Sequence, residues 1–457
     1  MMTPTRRDIL KISLAGAGTL VLPGAGLFPA AAQAPEEPHF FLMIVLNGGA
    51  DSSYMFDARP LSMTKAGKIQ NYLGQEPAPF AGHNGTGTLA TSLIRPLLPF
   101  RDRFSILNGV YMTPSFDGHL QNMNFLFTGN AFGGDSFIPH LNLPETGREP
   151  QSLDGIMSSD PVVVTINNHS GVVPLVPKAV AGLARSLKQT PPLAGDELTA
   201  FIRGRMTANA DGPGRLSAAA ALMRSGLDKS PRVHQQLAQL TPPPSQQSPE
   251  LQTLALITQC FRLSISRSAI YSPSEFFDVH ATEQAKAQPR LFASAIDKIT
   301  TLIKGLSETP FDDRRSMLDV TTVMVTSEFG RTMRSADGPV DETGTNHNQF
   351  SNSILIGGKG IRGGLVIGAS DLRDEVEEPS AAHLALDPML EKSMGLPFDF
   401  STLLTRTDRP AGFDIKDYLT IGSVVNTIYA LFDVPKEHYR VLRRELPTAP
   451  VLNGLLV

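Results

Sequence analysis

Two kinds of hydrophobic pattern run through this chain. Short continuous apolar stretches occur at Phe40 to Leu46, Phe104 to Tyr111, Val162 to Ile166, Thr321 to Thr326 and Phe350 to Gly357. Each is rich in β-branched or aromatic residues, and most are bounded by Gly, Asn, Asp or Ser, as expected of strands buried on both faces. The second pattern has a helical period. Leu291, Phe292, Ala295, Ile299, Leu302, Ile303 and Leu306 fall on one face, which predicts a long amphipathic helix before the strand at 321. Further helices are expected from Leu120 to Phe127 and from Ile421 to Phe432. Pro273 argues against a central strand across 270–277. Strand, helix and strand in succession predict an α/β fold: a mostly parallel central sheet with right-handed crossovers, flanked by helices. Residues 195–265 read as a helical insertion. It is interrupted by a Pro-, Ser- and Gln-rich stretch at 241–249 with the composition of an exposed linker.

The N-terminus departs from both patterns. Arg6 and Arg7 precede a weakly apolar, Ala- and Gly-rich stretch from Ile12 to Phe28, and small residues follow at Ala30 to Ala34. Charged head, apolar middle and small-residue end make a secretory signal, and the paired arginines point to twin-arginine export. A transmembrane anchor is the competing reading. Gly and Pro dilute the run, and it is short for a span. Residues 1–34 are therefore expected to be a signal peptide, with cleavage favoured after Ala32 because Pro35 would follow a cut after Ala34. Residues 35–457 are then one domain, periplasmic or secreted, with no membrane span after cleavage. A net charge of −4 gives no reason to expect a nucleic-acid partner. Cys260 is the one cysteine, so no internal disulfide can form. It reads as a core thiol. There is no tryptophan, which weighs against a carbohydrate surface built on indole stacking.

The candidate chemistry sits in loops beside these strands. Asp51 follows the first strand, Asp117 and His119 the second. Asp278 and His280 precede the long helix. Glu328 and Arg331 follow the strand at 321, and His347 lies in the next loop. Open α/β sheets bind ligands beyond their strand carboxyl ends. Mixed carboxylate and imidazole donors suit a divalent ion. Taken singly, an Asp after a strand is more often a helix N-cap, and a loop His is more often solvated. Asp278 and His280 differ, because residues two apart in an extended segment point to one face. Arg331 is placed to meet an anionic substrate. The turn from Asn47 to Asp51 lacks dinucleotide-binding spacing.

Leu46–Asp51, Phe277–His280, Ser327–Arg331, His347 and Ile356–Gly364 match, in order, motifs of the DUF1501 family of exported bacterial proteins. That family resembles a distant branch of the alkaline phosphatase and sulfatase superfamily. The resemblance implies a parallel sheet between helices with metals at the strand ends. Asp51, Asp278, His280, Glu328 and His347 would be ligands, with His119 as a further one. The metal would be zinc, with calcium, magnesium or manganese as alternatives. Two departures stand out. Phe329 replaces the imidazole of an Asp-His pair, and Gly118 replaces the serine that precedes the matching histidine in many relatives. Thr113 and Ser115 are the remaining hydroxyls, and Ser115 is the candidate nucleophile. The function implied is an exported metal-dependent hydrolase of a phosphate or sulfate ester, acting on a small anionic substrate. The alternative is a catalytically inactive protein on the same fold that binds a ligand or partner at the envelope. The substrate and the oligomeric state stay open.

Overall fold

The computed structural model describes residues 37–112, 118–132, 136–142, 155–157, 172–174, 177, 180, 232–333, 345–372, 393–406, 414–441 and 448–457. The expected signal peptide, Ser115, Asp117 and the strand expected at 162–166 lie outside these residues, as does about half of the expected 195–265 insertion. Among the described residues, no helix is long and apolar enough to cross a membrane. The chain divides into two compact units.

The larger unit spans Phe41–Asp135, Pro161–Thr165 and Tyr271–Val457. Its elements are β1 (Phe40–Leu46), β2 (Phe104–Leu107), α1 (His119–Thr128), α2 (Thr282–Glu308), β3 (Thr321–Ser327), β4 (Gly330–Arg331), β5 (His347–Asn348), β6 (Ile354–Gly358), β7 (Val366–Ile367) and α3 (Ile421–Leu431). The sheet order here is β7-β2-β6-β3-β1. Every residue of β1, β2 and β3 is buried, as their apolar and β-branched runs predict. The strand expected to reach Tyr111 stops at Leu107. Gly109, at a φ of 70°, turns the backbone out of the extended region.

The sheet is mixed, with mostly parallel strands. β7 runs parallel to β2, whereas β6 runs antiparallel to both β2 and β3. The Ser327 hydroxyl lies 2.6 Å from the Leu46 carbonyl, so β1 and β3 end side by side. β6 departs from the parallel expectation. The chain re-enters the sheet from the edge at which β3 leaves it, and a strand made that way runs backwards. Asn352 fixes the return. Its side chain donates to the Ser327 carbonyl, and its backbone exchanges two hydrogen bonds with Val110.

Helices cover both faces. Ile296 and Ile299 of α2 line a small cavity with Leu46 of β1 and Val325 of β3. Phe41, of opposite parity in β1, meets Phe432 at the end of α3 edge to face, with ring centroids 6.3 Å apart. α2 buries Phe292, Ala295, Ile299, Leu302, Ile303 and Leu306, the stripe read from the sequence except for Leu291, which is half-buried. Phe292 also stacks on Tyr54 at 5.2 Å.

The smaller unit comprises Met1–Phe40, Ser136–Asp160 and Ile166–Ile270. Its strands Ser268–Tyr271, Gly155–Met157 and Val172–Pro174 are parallel in that order. The helix Pro249–Arg262 carries Cys260 on its buried side, where burial pushes the thiol pKa well above its usual range. That is the inert core thiol expected.

Candidate metal centre

The centre lies wholly in the larger unit, and its floor is built from the ends of β1 and β3. Beyond Leu46 the chain turns through Gly48 and Gly49, at φ 100° and 77°. Only glycine fits. A Cβ on Gly48 would stand 2.5 Å from the backbone nitrogen of Asp278, and one on Gly49 2.1 Å from the Phe329 ring. The tight turn lets the Gly48 N–H donate to Glu328 Oε1 at 2.8 Å. The Ala50 N–H donates to Ser327 Oγ at 3.0 Å. Glu328 is fully buried, and the same Oε1 stands 2.9 Å from His119 Nδ1.

Above this floor, four side chains converge. Asp278 Oδ1 is the focus: His280 Nε2 lies 2.8 Å away, His119 Nε2 3.1 Å and His347 Nε2 3.8 Å. His280 Nε2 and His347 Nε2 are 3.1 Å apart. One donor atom from each of His119, Asp278, His280 and His347 lies within 4.8 Å of all the others. Four N or O ligands about 2.0–2.1 Å from one ion in a tetrahedron stand about 3.4 Å from one another. The donor set and its spacing therefore fit a single divalent ion. The side chains keep exposures of 25% for His119 and Asp278, 46% for His280 and 18% for His347. Solvent thus reaches the centre from one side.

Local structure delivers each donor. His119 is the first residue of α1. Asp278 and His280 lie in the extended segment that enters α2, where Gln284 accepts the backbone N–H groups of His280 and Ala281 at 2.9 and 3.0 Å. β4 and β5 form an antiparallel pair in which His347 faces Arg331. Phe329 is buried, its ring centroid 4.5 Å from that of His347 and 4.9 Å from that of His119. It packs under two of the donors as an apolar support.

Electrostatics follow from these contacts. Burial pulls the pKa of His119 down, but the neighbouring Glu328 and Asp278 carboxylates outweigh it and the net movement is upward. Burial raises that of Asp278, yet the Arg331 hydrogen bond and charge, helped by His119 and His280, bring it below the usual range. Asp51 goes the other way. Burial drives its carboxyl up to about 7, against the lowering effects of Ser53 and Arg331.

The residues expected as ligands separate into three groups. His119, Asp278, His280 and His347 are brought together. Glu328 sits one layer below, holding His119 by its Nδ1 and leaving Nε2 toward the other donors. Asp51 caps the short 3-10 turn Ser52–Tyr54 by accepting the Ser53 N–H at 2.9 Å. Arg331, expected to face a substrate, is instead buried. It bonds the carbonyls of Gly48, Gly49 and Thr345 and the Asp278 carboxylate. The sequence reading missed Ser327 and Gln284. The paired glycines after β1 are the signal that could have pointed to a close backbone approach, although not to its partner.

Residues 258–385 match the family model described as a protein of unknown function, DUF1501. The DUF1501 stretch contains Asp278, His280, Glu328, Arg331 and His347, and it stops short of Asp51 and His119. No curated protein matches the chain. Among solved structures, the chain is similar to a protein in the alkaline phosphatase superfamily from Vibrio parahaemolyticus. The identity is 10%, over 91% of this chain and 80% of that one, with a TM-score of 0.30. It is also similar to the lipoteichoic acid synthase LtaP from Listeria monocytogenes, at 11% identity over 79% and 74% with a TM-score of 0.34. A third is the C-terminal periplasmic domain of EptC from Escherichia coli, at 11% over 89% and 85% with a TM-score of 0.33. Superpositions this loose say nothing about a reaction.

Proposed function

We propose that this chain is an exported metal-dependent hydrolase acting on a phosphate or sulfate ester, on an alkaline phosphatase-like fold. The observation that carries the reading is the convergence of His119, His280 and His347 on Asp278 Oδ1 at 3.1, 2.8 and 3.8 Å. Three imidazoles and a carboxylate suit zinc, in line with the expectation from the sequence. A divalent ion held there supplies Lewis-acid activation of water or of an ester oxygen. The protein's own part is positioning. Glu328 fixes the His119 ring, Gln284 holds the backbone of the His280 segment, and Arg331 orients Asp278. The small anionic ester enters from the open side, beside His280 and the half-exposed Phe276 ring. Gly118 offers no hydroxyl where α1 begins, so this reading uses water as the nucleophile, with Ser115 as the covalent alternative. Export by the twin-arginine route rests on Arg6 and Arg7, and it would allow metal loading before translocation.

The test is elemental analysis of the folded, exported protein prepared without chelator, followed by turnover of an aryl phosphate and an aryl sulfate. Bound metal and turnover that both disappear in His280→Ala are the expected result. One observation favours the second reading, an inactive envelope binding protein. Phe329, which cannot ligate, stands against two of the imidazoles. Folded protein free of metal and inert to both esters would put that reading in front.

A further inference from the structure

The four donors of this centre suit one ion, and two further carboxylates, Glu328 and Asp51, follow the ends of β3 and β1. The Arg331 guanidinium lies among them and interacts electrostatically with Asp278, Glu328 and Asp51 together. Its Nη2 is bonded to Asp278 Oδ1, the oxygen on which the histidines converge. The group is tightly held. Nη2 donates to the Gly48 carbonyl at 2.7 Å, Nε faces the Gly48 and Gly49 carbonyls at 3.2 Å, and Nη1 donates to the Thr345 carbonyl at 3.2 Å. Nη1 also lies 3.5 Å from His280 Nε2, and the Phe329 ring is 5.9 Å from the guanidinium carbon.

We infer that Arg331 is a built-in cation that takes the place of a second metal ion and holds the centre to one divalent ion per chain. The inference rests on the metal-centre reading above. One divalent ion and the guanidinium already bring three positive charges to a site whose ionised carboxylates are Asp278, Glu328 and, above about pH 7, Asp51. A second divalent ion would leave an excess of at least two positive charges beside the buried Glu328 and Arg331, where unpaired charge is costly. It would also have to displace a guanidinium held by backbone carbonyls. Arg suits this role because its planar fork stays charged and can meet several acceptors at once.

The experiment is zinc titration of the chelator-stripped full-length protein, with bound zinc counted by elemental analysis, for wild type, Arg331→Lys and Arg331→Met. Circular dichroism checks that each variant is folded. The expected plateau is one zinc per chain in wild type and in Arg331→Lys, rising toward two in Arg331→Met. A wild-type plateau of two overturns the inference and leaves the metal-centre reading standing. A folded Arg331→Met that stays at one, or falls to none, also overturns it, because Arg331 would then only position Asp278. Should Arg331→Met fail to fold, Arg331→Lys decides: one zinc supports the fixed-charge role, and two or none removes it. A wild type that takes up no zinc removes the metal-centre reading, and the inference with it.

Discussion

The floor and the rim of the centre are made of similar residues used in opposite ways. In the floor, Glu328 and Arg331 are buried charges whose partners are mainly backbone groups and His119. In the rim, Asp278 and the three histidines bond chiefly to one another and remain open to solvent. A charge placed among fixed carbonyls and N–H groups becomes part of the scaffold. A charge whose neighbours are other ligating atoms stays available for chemistry. Position beyond a strand end does not distinguish the two; the identity of the partners does.

The sharpest way to break this contrast is at the rim. Asp278→Ala removes the atom shared by all three histidines, so bound zinc should weaken by at least about 10³-fold, roughly 4 kcal/mol. The midpoint of urea unfolding in the stripped protein should fall as well, because the buried Arg331 guanidinium loses its carboxylate partner. Calorimetric titration that finds affinity retained would dissolve the distinction. His347→Ala should behave alike, with a smaller loss.

Asp51 tests the floor through pH. Its folded carboxyl is raised from 3.8 to about 7. The native state therefore holds a proton that the unfolded chain has released. Its contribution is fully present below about pH 4 and is lost as pH rises toward 7. Asp51→Asn cannot lose that proton. Relative to wild type, the stripped variant should gain stability by about 1.4 kcal/mol per pH unit across the window, roughly 4 kcal/mol in all as an upper figure. Parallel stability curves for the two proteins would show that Asp51 is solvated or already paired.

Gly49→Ala should cost about 3 kcal/mol in denaturant unfolding. It combines a left-handed backbone with a Cβ 2.1 Å from the Phe329 ring. A cost below about 1 kcal/mol would mean that the ring yields easily and that the floor is softer than its packing suggests. The smallest effect belongs to the layer between floor and rim. Glu328→Gln keeps the shape but weakens the hold on His119 Nδ1, so zinc affinity should fall about 10- to 100-fold. A loss as large as that of Asp278→Ala would instead make Glu328 a direct ligand.

Much of this architecture was legible in the sequence, and particular residues show where legibility stops. The runs at Phe40 and Thr321 announced buried strands because a strand covered on both faces shows a run of apolar and β-branched residues with no charged position and no alternation. The α2 stripe was equally plain. The direction of β6 was not, since strand direction depends on what the intervening chain does, and residues 328–353 give no helical period to mark a crossover. The spacing of Asp278 and His280 foretold their shared face. The separation of Glu328 from the donor layer was not foretold. It depends on Gly48 N–H and His119 arriving from segments far away in the chain, and a carboxylate's partners leave no local signature.

The His280–His347 contact joins positions 67 residues apart. An ion bridging them would act as a reversible cross-link, closing a loop of that length together with the more distant segment at His119. The entropy of closing a loop grows only slowly with its length, so the long span itself costs little extra. Any ion that prefers the folded chain adds stability in proportion to the logarithm of its concentration, about 2.7 kcal/mol at a hundred times its dissociation constant. Metal supply in the compartment where the protein works would then set how long the chain survives proteolysis, independently of whether it turns over a substrate.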